Sequence, residues 1–210
     1  MSLSELLLFI PACFALNLSF GPNNLTSVTT GAQYGWSAAM VSAIGRLLAF
    51  IPMIAISAAG LGLLLATSAT AFAIVKYAGA AYLIWLGIRI LRSDPSQVMG
   101  QSGDRARGGA SLVELGRREF LIAAGNPKAI VIFTAFLPQF VDPQNYWVSF
   151  LICGVLFLLL EWCAIALYAG VGKALATSTN VGVVRWFVRG SGVTMIAFGA
   201  LLAFARREPA

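Results

Sequence analysis

Long apolar runs separated by short polar stretches are the main pattern of this 210-residue chain. A membrane-spanning helix needs about 20 mostly apolar residues, and the pattern predicts six such segments. They cover residue 3 to the break at Gly21-Pro22, then 36–66, 69–91, 120–141, 146–170 and 186–204. Apolar runs of this length are unlike the short alternating strands of a β-barrel. The predicted fold is therefore an all-α membrane protein with six transmembrane helices.

The composition agrees with a protein whose solvent is a lipid bilayer. The hydrophobic share is 59% and the charged share is 10%, whereas soluble domains carry roughly 25% charged residues. This balance excludes a soluble enzyme, a nucleic-acid binder and a disordered regulator. The chain has no histidine and three cysteines, at positions 13, 153 and 163, without a Cys-x-x-Cys pair. We therefore predict no metal site and no cofactor.

The basic residues predict how the helices are oriented. The polar stretch 92–118 shares one side of a six-helix protein with the turns that follow the first and fifth helices. That side collects nine basic residues: Arg89, Arg92, Arg105, Arg107, Arg117, Arg118, Lys173, Arg185 and Arg189. Positive charge marks the cytoplasmic side, so we expect both termini outside and 92–118 to form a basic cytoplasmic loop. Since no positive charge precedes the first apolar run, we expect a retained helix rather than a signal peptide.

Within the loop, Ser111 and Glu114 have the spacing of a capping box. In that motif each side chain accepts a hydrogen bond from a free backbone N–H group of the other residue. The spacing predicts a helix that begins there and enters the membrane near Phe120.

The second half of the chain repeats features of the first. Pro22 and Pro127 lie 105 residues apart, which is half the length of the chain, and each lies in a short polar stretch with glycine and asparagine inside an apolar run. The Lys76-x-x-Gly79 pattern returns as Arg189-x-x-Gly192, and further glycines follow at Gly87 and Gly199. The chain is therefore interpreted as a three-helix repeat (1–91), the loop (92–118) and a second repeat (119–210). Because three is odd, the two repeats would be inverted.

Proline removes a backbone donor and interrupts a helix, so the first and fourth helices are predicted to be broken. Freed backbone groups cannot face lipid and must be buried in protein or line a cavity. Broken helices at matching positions of inverted repeats are typical of the substrate site of a transporter. The restarting helix would offer free N–H groups to a carboxylate, and its Thr26, Ser27, Thr29 and Thr30 are interpreted as a wet lining. The alternative is a plain proline kink.

Three ionisable residues lie inside apolar runs, namely Arg46, Lys128 and Glu161. A charge at the middle of the bilayer costs roughly 2.5–3.5 kcal/mol on insertion scales, so each is a candidate functional residue. Glu161 is the candidate proton carrier or ammonium ligand, and Arg46 or Lys128 would hold a carboxylate. The alternative is a structural ion pair of Glu161 with Lys128 or Arg46.

Several motifs resemble those of the LysE-type family of amino-acid exporters, which includes lysine exporters and homoserine/threonine resistance proteins. These are Gly21-Pro22-Asn23-Asn24, the stretch KYAGAAYLIWLG at 76–87, Asn126-Pro127-Lys128 and FLPQF at 136–140. The resemblance covers nearly the whole chain. It implies a six-helix protein of the bacterial inner membrane that exports amino acids, is driven by the proton gradient and forms a homodimer. Many members carry an acidic residue in the second helix where this chain has Phe50.

The sequence thus predicts a secondary transporter that exports amino acids or related small zwitterions, and not an enzyme. The predicted substrate-binding residues are Gly21, Pro22, Asn23, Asn24, Arg46, Asn126, Pro127 and Lys128, and Glu161 is predicted to couple transport to protons. Two alternatives remain at this point. One is an exporter of metal cations, although the chain lacks clustered metal ligands. The other is a membrane-embedded enzyme that uses Glu161 and Lys128.

Overall fold

The computed structural model describes residues 3–67, 69–92, 109–176 and 181–204, and every regular element in these ranges is helical. In chain order the α-helices are α1 (Leu3–Leu18), α2 (Pro22–Tyr34), α3 (Trp36–Ser42), α4 (Ile44–Thr67), α5 (Ala69–Leu91), α6 (Leu112–Ala124), α7 (Pro127–Val131), α8 (Tyr146–Ala176) and α9 (Val181–Phe204). A π-helix, Ile132–Phe136, and a 3₁₀-helix, Leu137–Phe140, continue α7, and a 3₁₀ turn, Pro143–Asn145, precedes α8. The all-helical prediction is confirmed for these ranges.

Three stretches are long and apolar enough to cross a membrane on their own: Trp36–Gly60, Ala73–Leu91 and Pro143–Ala174. Two further pairs meet the same criterion as broken spans, Ser4–Leu18 with Pro22–Tyr34 and Leu112–Ala124 with Pro127–Phe140. The described residues therefore hold three spans, or up to five if each pair is one span, and a shorter apolar helix at Gly192–Phe204. The count of six and the inverted repeat stay predictions.

The two predicted breaks are present. The axis turns by 63° between α1 and α2 and by 52° between α6 and α7. Proline alone does not explain the breaks, because Pro11 and Pro52 lie inside α1 and α4 without ending them. At the breaks, proline instead occupies the start of the second half-helix, where its missing N–H group has no helical partner to lose.

The capping box is also confirmed. The backbone N–H of Glu114 donates to the Ser111 side chain at 3.2 Å, and the backbone N–H of Ser111 donates to Glu114 at 2.8 Å. The helix begins at Leu112, so the fourth apolar segment, predicted to start at residue 120, is the later part of a longer helix. Of the basic loop, residues 93–108 lie outside the described residues.

Close contacts between helices hold the two halves together. Glycines of α5 and α9 face one another, and a Cβ atom added at Gly87 would lie 2.7 Å from the carbonyl oxygen of Gly192. Gly45 of α4 similarly lies against the carbonyl of Gly116 of α6. Such contacts between small residues are the usual means by which membrane helices pack closely. One of them joins α4 to α6, the first part of the second broken helix.

Candidate functional site

The break between α1 and α2 is stabilised by Asn24. Its side-chain amide donates to the carbonyl oxygens of Asn17 at 2.8 Å and of Ser19 at 2.9 Å. These carbonyls lie where α1 ends, and the last carbonyl groups of a helix have no backbone N–H groups of a following turn to bond with. Asn24 therefore supplies the donors that the interrupted helix has lost, and it is 2% exposed.

The second break is built around Asn126. Its side-chain oxygen accepts a hydrogen bond from the backbone N–H of Lys128 at 3.0 Å and so caps α7. Asparagine is among the preferred residues for this position because it satisfies a free N–H group of the first turn. The cap explains why the helix restarts directly after Asn126 and also sets the orientation of the Asn126 amide.

Two hydrogen bonds join the breaks to each other. The Asn126 amide nitrogen donates to the side-chain oxygen of Asn23 at 2.7 Å. The Lys128 Nζ atom donates to the carbonyl oxygen of Ser19 at 2.6 Å. Two motifs about half a chain apart in the sequence are thus in direct contact.

Arg46 of α4 lies beside this junction and is fully buried. Its guanidinium donates from Nη1 to Glu161 at 2.9 Å, and from Nε and Nη2 to one oxygen of Glu119 at 2.9 and 2.8 Å. It also donates to the backbone carbonyl of Asn23 and to the Ser27 hydroxyl. The ion pair of Arg46 with Glu161, which the sequence left as an alternative, is present in this structure.

Glu119 was not among the predicted site residues, although it is fully buried and pairs with Arg46. In the sequence it directly follows Arg117 and Arg118 and looks like part of the charged loop that ends at residue 118. The capping box contains the signal that reveals it. A helix that begins at Leu112 places Leu115, Glu119 and Ala123 four residues apart on one face, and all three are buried.

A small chamber lies where the breaks meet. Its lining consists of Asn17, Gly21, Asn23, Asn24, Phe50, Asn126, Lys128, Ala129, Ile132, Phe157 and Glu161. Its volume of about 20 Å³ is close to that needed for one water molecule. The chamber is therefore too small for an amino acid in this conformation, and binding one requires the lining residues to move apart.

Six of the predicted site residues line the chamber: Gly21, Asn23, Asn24, Asn126, Lys128 and Glu161. The other three do not. Pro22 and Pro127 are exposed at the starts of their half-helices, and Arg46 is not a lining residue but pairs with Glu161, which is one. The polar residues of α2 are also placed differently from the interpretation as a wet lining. Thr26, Ser27, Thr29 and Thr30 are buried but do not line the chamber.

Aromatic rings close the chamber on its apolar side. The rings of Phe50, Phe133 and Phe157 meet edge to face, with centroids 4.9–5.8 Å apart. Such contacts fix ring positions more firmly than burial alone. Phe50 thus belongs to this aromatic wall.

Comparisons with known proteins place these features in a wider group. A family model described as "LysE type translocator" matches residues 14–206. A homoserine/homoserine lactone efflux protein of Salmonella typhimurium is 32% identical over 196 residues, which cover 91% of this chain and 92% of the relative. A leucine efflux protein of Klebsiella pneumoniae is 28% identical over 195 residues, 87% of each chain. An uncharacterized membrane protein of Vibrio cholerae is 33% identical over 150 residues, 71% of each. No solved structure matches the chain.

Proposed function

The chain belongs to the LysE type translocator family, and on this premise we propose that it exports amino acids or related small zwitterions from the cytoplasm. Two relatives that align with most of the chain are named as efflux proteins, one for homoserine and homoserine lactone and one for leucine. The observation that carries the proposal is the chamber between two broken helices, which holds both a cation and an anion. This is the arrangement that binding the two ends of an amino acid requires.

Lys128 is proposed to hold the carboxylate of the substrate. It lines the chamber, and its only side-chain hydrogen bond among the described residues goes to a neutral carbonyl. Arg46 is less suited to this role because two carboxylates already engage its guanidinium. Of the two cations that the sequence offered for the carboxylate, the proposal therefore selects Lys128 and treats Arg46 as part of the supporting framework.

Glu161 is proposed to bind the substrate ammonium and protons in turn. It lines the chamber and, among the described residues, has one ion-pair partner, Arg46, which retains Glu119 if Glu161 is neutralised. Protonation of Glu161 would therefore not leave a buried guanidinium without a counter-charge, a situation that costs several kcal/mol. Amino-acid export in exchange for protons follows from this alternation. Continued export driven by a pH gradient in a Glu161→Gln variant would contradict the proton role.

The chamber is proposed to lie at the interface of two inverted three-helix repeats in the bacterial inner membrane. Contacts between the two halves support this. The first broken helix packs on α8, the second packs on α4, and α5 packs on α9, so each broken helix meets the middle helix of the other half. A homodimer remains an expectation from the family resemblance.

Growth of cells that overproduce the protein tests the proposed substrate class. We expect resistance to toxic amino-acid analogues and none to metal salts, and Lys128→Met is expected to remove that resistance. Lys173→Met is the matched control, since it makes the same change at an exposed lysine of α8 and is expected to keep the resistance. Protection against a metal salt alone would replace the proposal with metal export.

A further inference from the structure

Two side-chain amides of the chamber each have an atom without a partner among the described residues. The atoms are Asn17 Oδ1, an acceptor, and Asn23 Nδ2, a donor. Both residues line the chamber and are nearly fully buried, with exposures of 2% and 4%. A buried polar atom without a partner costs about 1–3 kcal/mol. The chamber has room for one water molecule, which can meet both atoms, and a ligand that takes its place when the chamber opens must supply both a donor and an acceptor.

The orientation of the Asn17 amide follows from a backbone contact. Its nitrogen donates to the carbonyl oxygen of Phe157 at 3.3 Å. Because a carbonyl can only accept, the amide nitrogen must face Phe157 and the amide oxygen must be the unpaired atom. Asn17 thus presents an acceptor.

The orientation of the Asn23 amide follows from a chain of contacts. The backbone N–H of Lys128 can only donate, so the atom of Asn126 that it meets is the oxygen. The other atom of that amide is a nitrogen, and it donates to Asn23. The Asn23 atom that receives this hydrogen bond is therefore its oxygen, which leaves the nitrogen as the unpaired donor.

The two charged residues of the chamber match the two unpaired amide atoms, one favouring a negative ligand group and the other a positive one. Lys128 adds a cation to the donor of Asn23, and Glu161 adds an anion to the acceptor of Asn17. These groups complement a carboxylate and an ammonium, and no third charge belongs to the described lining residues. The rest of the lining includes Phe50, Ile132 and Phe157, which would be unfavourable neighbours for a charged side chain.

We propose that Asn17 accepts a hydrogen bond from the substrate ammonium, that Asn23 donates to the carboxylate, and that the uncharged substrate side chain lies against Phe50, Ile132 and Phe157. This inference rests on the proposed function and narrows it. Asn17 becomes a binding residue, and the substrate class becomes amino acids with a free ammonium, a free carboxylate and no third charge.

Transport by the purified protein in vesicles tests the role of Asn17. Labelled leucine is the probe, and 4-methylpentanoate, which has a hydrogen in place of the ammonium and so no donor for Asn17, is the competitor. A hydrogen bond to a charged group is worth enough to change affinity by at least about tenfold. We expect Asn17→Leu to raise the KM for leucine by at least about tenfold and the inhibition constant of 4-methylpentanoate by less than about twofold. Asn17→Ala provides the same test with a smaller side chain if the leucine variant does not fold.

A matched control separates binding from packing. Ser57→Ala also removes a hydrogen bond to a carbonyl of a neighbouring helix, since Ser57 donates to Phe133 at 2.6 Å, but Ser57 does not line the chamber. In this variant, the ratio of the affinity for leucine to the affinity for 4-methylpentanoate is expected to match that of the wild type. An unchanged ratio in the Asn17 variants would overturn the inference and leave the proposed function intact.

The substrate class is tested on the wild-type protein alone. Unlabelled leucine is expected to compete with labelled leucine at least about tenfold more strongly than lysine or glutamate does. Equal competition by lysine or glutamate would overturn the uncharged class. Absence of transport of leucine, homoserine and every other amino acid tried would overturn the proposed function, and this inference with it.

Discussion

Removing both acidic partners of Arg46 should destabilise the protein by more than the sum of the two single changes. Glu119→Gln leaves the guanidinium with Glu161, and Glu161→Gln leaves it with Glu119. Only the double variant leaves Arg46 without a counter-charge, and Arg46 is fully buried. The two changes are therefore coupled through one shared cation.

The contacts set the expected order of the effects. Glu119 accepts two hydrogen bonds from Arg46 and Glu161 accepts one. Hydrogen bonds to charged groups contribute about 1.5–3 kcal/mol each, although glutamine retains part of the acceptor. We expect Glu119→Gln to cost about 1.5–3 kcal/mol and Glu161→Gln to cost less. The double variant should cost about 0.5–3 kcal/mol more than the sum, the range for residues that share a partner.

Cysteine reactivity provides the assay. Cys13 and Cys153 are buried, whereas Cys163 is exposed. In a Cys163→Ala background, a thiol-reactive fluorophore therefore reports unfolding in micelles as denaturant is added. Free energies of unfolding from the four proteins complete the double-mutant cycle. Additivity within about 0.5 kcal/mol, which is typical of independent sites, would refute the shared role of Arg46.

Three further predictions concern the helix contacts and the chamber. Gly45→Ala places a Cβ atom against the Gly116 carbonyl and should lower thermal stability. The control is Gly60→Ala, whose Cβ has nothing within 4 Å and which should be neutral or slightly stabilising. Equal stability of the two variants would contradict the close contact at Gly45. Asn126→Ala should cost about 1 kcal/mol in denaturant titrations through loss of the α7 cap, and a wild-type midpoint would show that the cap contributes nothing. Lys128→Met should raise the KM for leucine at least about tenfold in vesicles through loss of a charge-assisted contact, and an unchanged KM would remove Lys128 from the site.

Both helix breaks could be predicted from the sequence because their cause is local. Gly21-Pro22 and Asn126-Pro127 contain the residues that end a helix and start the next one, and the structure has a break at each position. The capping box at Ser111 was predictable for the same reason. In each case the energetically important contacts join residues only a few positions apart.

The charge cluster was only partly predictable because its contacts join distant residues. Arg46 and Glu161 stand out in apolar runs, and their pairing was one of the alternatives. Glu119 sits at the edge of a charged stretch, and its burial depends on how α6 packs against α4. Asn17 was missed because a single amide near a helix end is unremarkable until the fold places it in the chamber.

The distribution of α2 side chains could not be predicted either. A run of threonine and serine suits a wet surface as well as a tightly packed one. In the structure, the Thr26 hydroxyl donates to the carbonyl of Pro22 and the Ser27 hydroxyl to that of Asn23, within the same helix. These residues satisfy their own polar groups locally and can therefore be buried against neighbouring helices.

Efflux from vesicles tests the central claim most directly. Vesicles that contain the purified protein are loaded with labelled leucine or homoserine, and a pH gradient is imposed across the membrane. We predict efflux that accelerates when protons can flow inward as the amino acid leaves, and that slows when the gradient is collapsed. Efflux of neither amino acid, or efflux at a rate that does not respond to the gradient, would contradict proton-coupled amino-acid export.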